Sequence, residues 1–285
     1  MDENNAAKHE RRGANADPNP MLGDWQHRFK FPPVPYGDGG AKRAAFREAT
    51  QNELQNRFFY NSEVRLEITL HMDVRTVLET SEMADLDNYA KAVLDGLKGS
   101  RGILLDDSQV QTLIISWLDN HGAENPYFDI SISSSPDDFI LKPVHFYEMP
   151  DGMWYPRSRK VWSVSGQEDQ SERQHYTGLL ILEVMSSVKA SGRHLLRKSG
   201  MGRLRAYQES KYFSSSSARG FHKGRIDFEF DMHDRKSWRA KFDAWKRDHA
   251  GETAKVEKIV SGVQETYAEM ARLRAGLLDK GQSGL

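Results

Sequence analysis

Between Glu63 and Met72 the chain alternates Val64, Leu66, Ile68, Leu70 and Met72 with polar neighbours. That is the period of a strand with one buried face, and it is the clearest strand pattern in the sequence. Phe29 and Phe31 alternate in the same way within 27–37, a short strand that Pro32, Pro33 and Pro35 stop because proline cannot donate to a ladder. Two Ile-rich segments, 109–118 and 127–134, read as strands paired with each other across the loop 119–126. Residues 40–60 read as a helix carrying Phe46, Leu54 and Phe58 on one side, and 74–84 as a loop. From Asp87 to Lys98 the period changes to 3.6. Ala90, Val93, Leu94 and Leu97 fall on one arc, and Asp87, Asn88, Lys91 and Asp95 lie almost opposite. Gly96 and Gly99 suit the end of that helix.

The second half is less regular. Residues 136–160 are punctuated by prolines and read as a crossing between two lobes, and 176–188 is apolar enough to be either buried helix or strand. Residues 192–225 mix bases, glycines and serines with Tyr207, Tyr212, Phe213 and Phe221. Ile226, Phe228 and Phe230 alternate as a strand within 224–233. Segments 237–250 and 252–280 are expected helices. Trp238 and Trp245 mark a core or interface on the first, and an apolar stripe from Val256 to Leu277 runs along the second. The fold class expected is α+β: a mixed β-sheet flanked by helices, then an additional α+β region ending in a long helix. Its expected parts are a disordered tail at 1–22, nearly devoid of large apolar side chains, a domain at 23–140 and an extension at 141–285.

Composition narrows the chemistry. The 285 residues include no cysteine, which excludes disulfides, thiolate catalysis and sulfur-bound zinc and leaves carboxylates and histidines as metal ligands. No apolar run reaches the length of a membrane span, and the N-terminus lacks the order of a secretory signal, so a cytoplasmic protein is expected. The net charge of −1 conceals two opposite halves: residues 61–151 carry 17 acids against 6 bases, and 189–250 carry 7 acids against 16 bases. An acidic metal site and a phosphate-binding surface would account for that split, as would two differently charged solvated faces.

Asp85, Asp87, Asp95, Asp106 and Asp107 crowd one short, otherwise apolar stretch. A calcium loop opening at Asp85 would need glycine sixth and a carboxylate twelfth; Ala90 and Gly96 stand there instead. Asp85 or Asp87 could cap the helix. Capping does not explain two acids at i, i+2 together with the Asp106–Asp107 pair, so a site for a hard divalent ion competes with it. Clustered carboxylates repel unless a cation lies between them, and Mg²⁺ keeps waters and phosphate oxygens in its shell beside a few such ligands.

The run D-L-D-N from Asp85, Lys91 three residues on, A-x-x-D-G-L, a short glycine-bearing turn and D-D-S-Q-V heading a strand resemble the RusA-type Holliday-junction resolvases. The resemblance covers roughly residues 25–135. It implies a dimeric, Mg²⁺-dependent (or Mn²⁺-dependent) endonuclease cutting four-way DNA junctions. Its essential acids fall on Asp85, Asp87 and Asp107 and its active-site lysine on Lys91, with Asp106 a supporting metal ligand and Asp95 structural. Residues beyond 145 have no counterpart in this resemblance. Arg193, Arg197, Lys198, Arg203, Arg205, Arg219, Lys223 and Arg225 there suit contacts to DNA phosphates. The expected function is structure-selective cleavage of branched DNA in recombination and repair, by a homodimer. The alternative is a non-catalytic branched-nucleic-acid-binding or assembly protein.

Overall fold

The computed structural model describes residues 23–54, 56–122, 125–134, 138–163, 166–198, 200–205 and 219–282. The expected tail at 1–22 and the aromatic residues Tyr207, Tyr212 and Phe213 lie outside them. The chain forms two compact units. The first comprises the chain up to Lys142 together with Arg225–Phe230, and the second comprises Pro143–Gly224 with Asp231 onward.

In the first unit a four-stranded mixed sheet has the order β1-β5-β3-β4, formed by β1 (Trp25–Phe29), β3 (Val64–Met72), β4 (Val110–Asp119) and β5 (Tyr127–Ser133). The alternation read at 63–72 puts Val64, Leu66, Ile68 and Leu70 in the core with Phe29, Phe128, Ile130 and Ile132. The expected pairing of 109–118 with 127–134 does not occur. β3 lies between them, with Ile68 opposite Ile115 in a parallel pair and Ile130 in an antiparallel one. Alternation sets which face of a strand is buried, not which neighbour it meets. Parallel strands need a long crossover, and residues 73–109 supply it with two helices, α2 (Val74–Glu79) and α3 (Leu86–Leu97). The aspartate-rich stretch is thus the crossover of the sheet's parallel pair.

Other boundaries moved as well. The first strand begins two residues earlier than read, at Trp25. The helix expected at 40–60 stops early, as α1 (Gly40–Glu53), and Phe58–Tyr60 becomes β2, buried throughout and paired with β6 (Phe139–Leu141). A partner about eighty residues away overrode the local helical pattern, as tertiary pairing commonly does for aromatic runs. The loop expected at 74–84 contains α2, because Asp73 accepts a capping hydrogen bond from Thr76 N at 2.9 Å. The strand read through Ile226, Phe228 and Phe230 is a turn. Phe230 is buried and Phe228 is 90% exposed, whereas alternate residues of a strand share a face.

The second unit holds β7 (His145–Glu148), β8 (Trp154–Arg157) and β11 (Asp231–His233) in the order β11-β7-β8, and a hairpin of β9 (Lys160–Ser163) and β10 (Gly166–Asp169). The ambiguous apolar run at 176–188 is helical, within α4 (Glu172–Lys198). α5 (Arg235–Asp248) and α6 (Ala250–Gln282) come after it. Trp238 and Trp245 are core residues, packed with Phe242, Leu179 and Val256, and the Trp238 indole N–H donates to Glu148 O at 3.1 Å. No helix among the described residues is long and apolar enough to cross a membrane.

Candidate active site

α3 positions the aspartates. Its apolar arc, with Ala90, Val93 and Leu97 buried, holds the helix against the sheet and leaves Asp87 and Lys91 exposed. Asp85 stands at the N-cap position, yet its side chain makes no capping hydrogen bond. Its exposed carboxylate is not committed to the helix that it begins. Asp87, in the first turn, accepts from Lys91 Nζ at 2.7 Å. That hydrogen bond holds its carboxyl below the usual carboxylate range.

A second set forms at the other end of the helix. Lys98, its C-cap, bridges Asp95 Oδ1 at 2.9 Å and Asp107 Oδ2 at 3.0 Å. Burial works to lower the Lys98 pKa, but the two carboxylates outweigh it and hold the ammonium above its ordinary value. Arg225 Nη1 lies 3.6 Å from Asp106 Oδ1 and 3.7 Å from Asp107 Oδ1. Asp106 itself is buried and caps the short 3-10 helix Asp107–Gln109, accepting from Ser108 N at 3.1 Å. Gln109 completes this cap. Its Oε1 accepts from Leu105 N and Asp106 N, and its Nε2 donates to Tyr60 O and Ser62 O at 2.8 and 3.0 Å. The glutamine of D-D-S-Q-V therefore pins the Asp106–Asp107 corner to β2, a role that the sequence reading did not give it.

The predicted ligands thus fall into two groups. Eight residues of helix put Asp95 about 12 Å along the axis from Asp87, and Asp107 is joined to the Asp95 end through Lys98. Among the described residues no three acidic or histidine side chains come together tightly enough to hold a metal ion. The donor set nevertheless fits a hard divalent cation in kind: carboxylate oxygens, no sulfur, and one exposed carboxylate without a capping role. Lysine and arginine cations sit against the carboxylates here. Lys98 was missed as a site residue, although its place three residues after Asp95 on one helix face was a readable signal.

The bases expected to meet DNA are scattered over several elements. Arg193 lies on α4, 3.7 Å from Asp151 Oδ2. Arg197 and Lys198 end that helix exposed, and Arg203 and Arg205 are exposed and helical. Arg219 stands 5.2 Å from the Phe221 ring, and Lys223 5.4 Å from that of Trp154. Arg225 alone of the eight belongs to the first unit.

Residues 39–133, which take in α1 through β5 and all five aspartates, match the family model described as endodeoxyribonuclease RusA. No curated protein matches the chain.

Proposed function

We propose that this chain, whose residues 39–133 match the family model of the endodeoxyribonuclease RusA, acts as the RusA-type Holliday-junction resolvases do and hydrolyses phosphodiesters at four-way DNA junctions in recombination and repair. The family uses divalent metal, and Mg²⁺ (or Mn²⁺) is the ion proposed here. Asp85, Asp87 and Asp107 would hold it, with Asp106 in support through the corner that it caps. Bound there, the ion would supply charge relief at the phosphate and a water made acidic enough to attack near neutral pH. The observation that carries the reading is the exposure of Asp85, Asp87 and Lys91 within the matched span, with Asp85 free of a capping bond. Lys91, held against Asp87, brings a positive charge to the oxygens that gain charge as the phosphorus–oxygen ester bond breaks.

A homodimer is part of the proposal. Symmetric cutting of a junction asks for two identical sites related by a two-fold axis. β4 is an edge strand of ten residues with Leu113, Ile114 and Leu118 exposed, and such an edge invites pairing with a second copy. Antiparallel β4 pairing about a two-fold normal to the sheet would set two α3 helices antiparallel on one face. The Asp85–Asp87 end of each would then face the Asp107 end of the other, which reconciles the two separated carboxylate groups with one metal site.

The basic stretch 189–250 is proposed to bind DNA phosphates. Charge reversal at Arg203 and Arg205 should lower junction affinity and flatten its dependence on salt; an unchanged slope would remove them from the interface. The experiment that tests the function is nicking of a labelled four-way junction by the purified chain in Mg²⁺ and in EDTA. Metal-dependent symmetric cuts are expected. Binding without cleavage in either condition would establish the non-catalytic alternative.

A further inference from the structure

The six residues Arg225–Phe230 are far along the chain from the matched domain, yet they are part of the first unit. Their place is fixed from several sides. Phe230 is buried edge-on against Phe59, with ring centroids 5.6 Å apart. Asp227 pairs with Arg47 of α1 at 3.4 Å, and Glu229 accepts from the Ser100 hydroxyl. The turn closes on itself through Phe230 N to Asp227 O and Glu229 N to Asp227 Oδ1, both 3.1 Å. Gly99 has a positive φ of 93°, and a Cβ there would stand 2.5 Å from Asp227 Oδ2, so only glycine lets the turn come this close.

Two side chains of this anchored turn are not used to anchor it. Arg225 is more than half exposed, and its 3.6 and 3.7 Å approaches to Asp106 and Asp107 are longer than hydrogen bonds, which leaves its donor fork available to another anion. Phe228 is the most exposed large apolar side chain among the described residues, at 90%. A bare phenyl ring on a turn held in place, three residues along the chain from a guanidinium at the Asp106–Asp107 carboxylates, supplies the two groups needed to contact an unstacked base and a nearby phosphate.

We propose that the turn Arg225–Phe230 is a substrate-reading element of the nuclease unit: Arg225 binds a DNA phosphate beside Asp107, and Phe228 stacks on a base exposed at the branch point. The proposal rests on the resolvase reading above. It gives the later part of the chain a share in selecting branched over linear DNA. Continuous duplex offers the same phosphates but no unstacked base.

The test compares binding of a four-way junction and of a linear duplex, in EDTA so that nothing is cut, for wild type, Phe228→Ala, Phe228→Trp and Arg225→Ala. Phe228→Ala should weaken junction binding by about 5-fold to 100-fold, the range for loss of one aromatic stacking partner, and leave duplex binding unchanged. Phe228→Trp should restore it. Arg225→Ala should weaken both and lower the slope of log affinity against log salt by about 0.9, one phosphate contact. A 2-aminopurine at the branch point should lose its quenching with Phe228→Ala. Wild-type junction affinity and quenching in Phe228→Ala would overturn the proposal, and so would faster cleavage by Arg225→Ala in a parallel assay with Mg²⁺, which would make the guanidinium an obstruction. Dissociation of a dimer by Phe228→Ala would assign the ring to a protein contact and overturn it too. Asp107→Asn separates the two readings: if that variant is inactive while Phe228→Ala and Arg225→Ala behave as wild type, only this inference fails. If Asp107→Asn cuts normally, the metal-site reading fails first.

Discussion

Asp107 carries the sharpest expectation at the residue scale. Asp107→Asn keeps the size of the side chain and removes its charge, so cleavage of a four-way junction at saturating Mg²⁺ should fall on the order of 100-fold or more, the several kcal/mol that a catalytic ion supplies. Its melting temperature should stay near wild type, because the corner is held by Asp106 and Gln109 rather than by Asp107. Lys91→Ala should also lose most activity, yet it should still bind Mg²⁺ by calorimetry, since an ammonium is no ligand for that ion. Activity retained by Asp107→Asn would return the aspartates to caps and surface charge. The aspartate and Lys91 pattern was legible as a family likeness because its spacing is itself the signal. Lys98 and Gln109 were not, since the value of each depends on groups that only folding brings near: Asp107 for the lysine, the carbonyls of Tyr60 and Ser62 for the glutamine.

Among elements, the contact between α1 and α3 is the one that sets the aspartate face. Gly96 lies where a Cβ would meet Thr50 Cγ2 at 2.9 Å and Thr50 Cβ at 3.0 Å. Thr50 is fully buried and its hydroxyl donates to Phe46 O at 2.9 Å, so it has little room to yield. Gly96→Ala should therefore destabilise the protein by about 1–3 kcal/mol, the usual range for overpacking, as read by urea denaturation. Adding Thr50→Ala should recover part of that loss; no recovery would mean that the helices are not in contact there. The amphipathic period of α3 was plain in the sequence, with Gly96 read as part of its end. That the glycine marks a helix crossing depended on a residue 46 positions away.

For the whole molecule, assembly and pH response are the measurable properties. Sedimentation at micromolar concentration should give twice 32.6 kDa, and Leu118→Lys on the exposed edge of β4 should give the monomer without unfolding it. A wild-type mass of one chain, with and without junction, would count against the dimer. In the second unit, His175 is buried with its Nε2 3.3 Å from the Tyr147 hydroxyl. Desolvation, with Arg159 and Arg157 nearby, pushes its pKa down from 6.5 to about 4. The unfolded chain then takes up a proton below pH 6.5 that the folded state refuses until about pH 4, so stability is full above 6.5 and falls as pH drops through that window. The loss should be on the order of 3 kcal/mol. His175→Gln should flatten it in a denaturation series from pH 7 to 4; an unchanged series would assign the acid response elsewhere.

The sequence alone determined the features set by short-range periodicity and by spacing along one element: the β3 alternation, the polar face of α3, the long terminal helix and the aspartate pattern that carries the family likeness. It misplaced the features that depend on partners distant in the chain. β3 separates β4 from β5 because hydrogen-bonding edges are shared by any strand of suitable alternation. Phe58–Tyr60 left the helix to pair with Phe139–Leu141, and the turn at 225–230 joined the first unit through Phe230, Asp227 and Glu229. The tertiary structure also divided the five aspartates between the two ends of α3. Spacing in sequence fixes how far apart two carboxylates stand along a helix, but which cations and which other segment come to meet them is decided only when the whole chain packs.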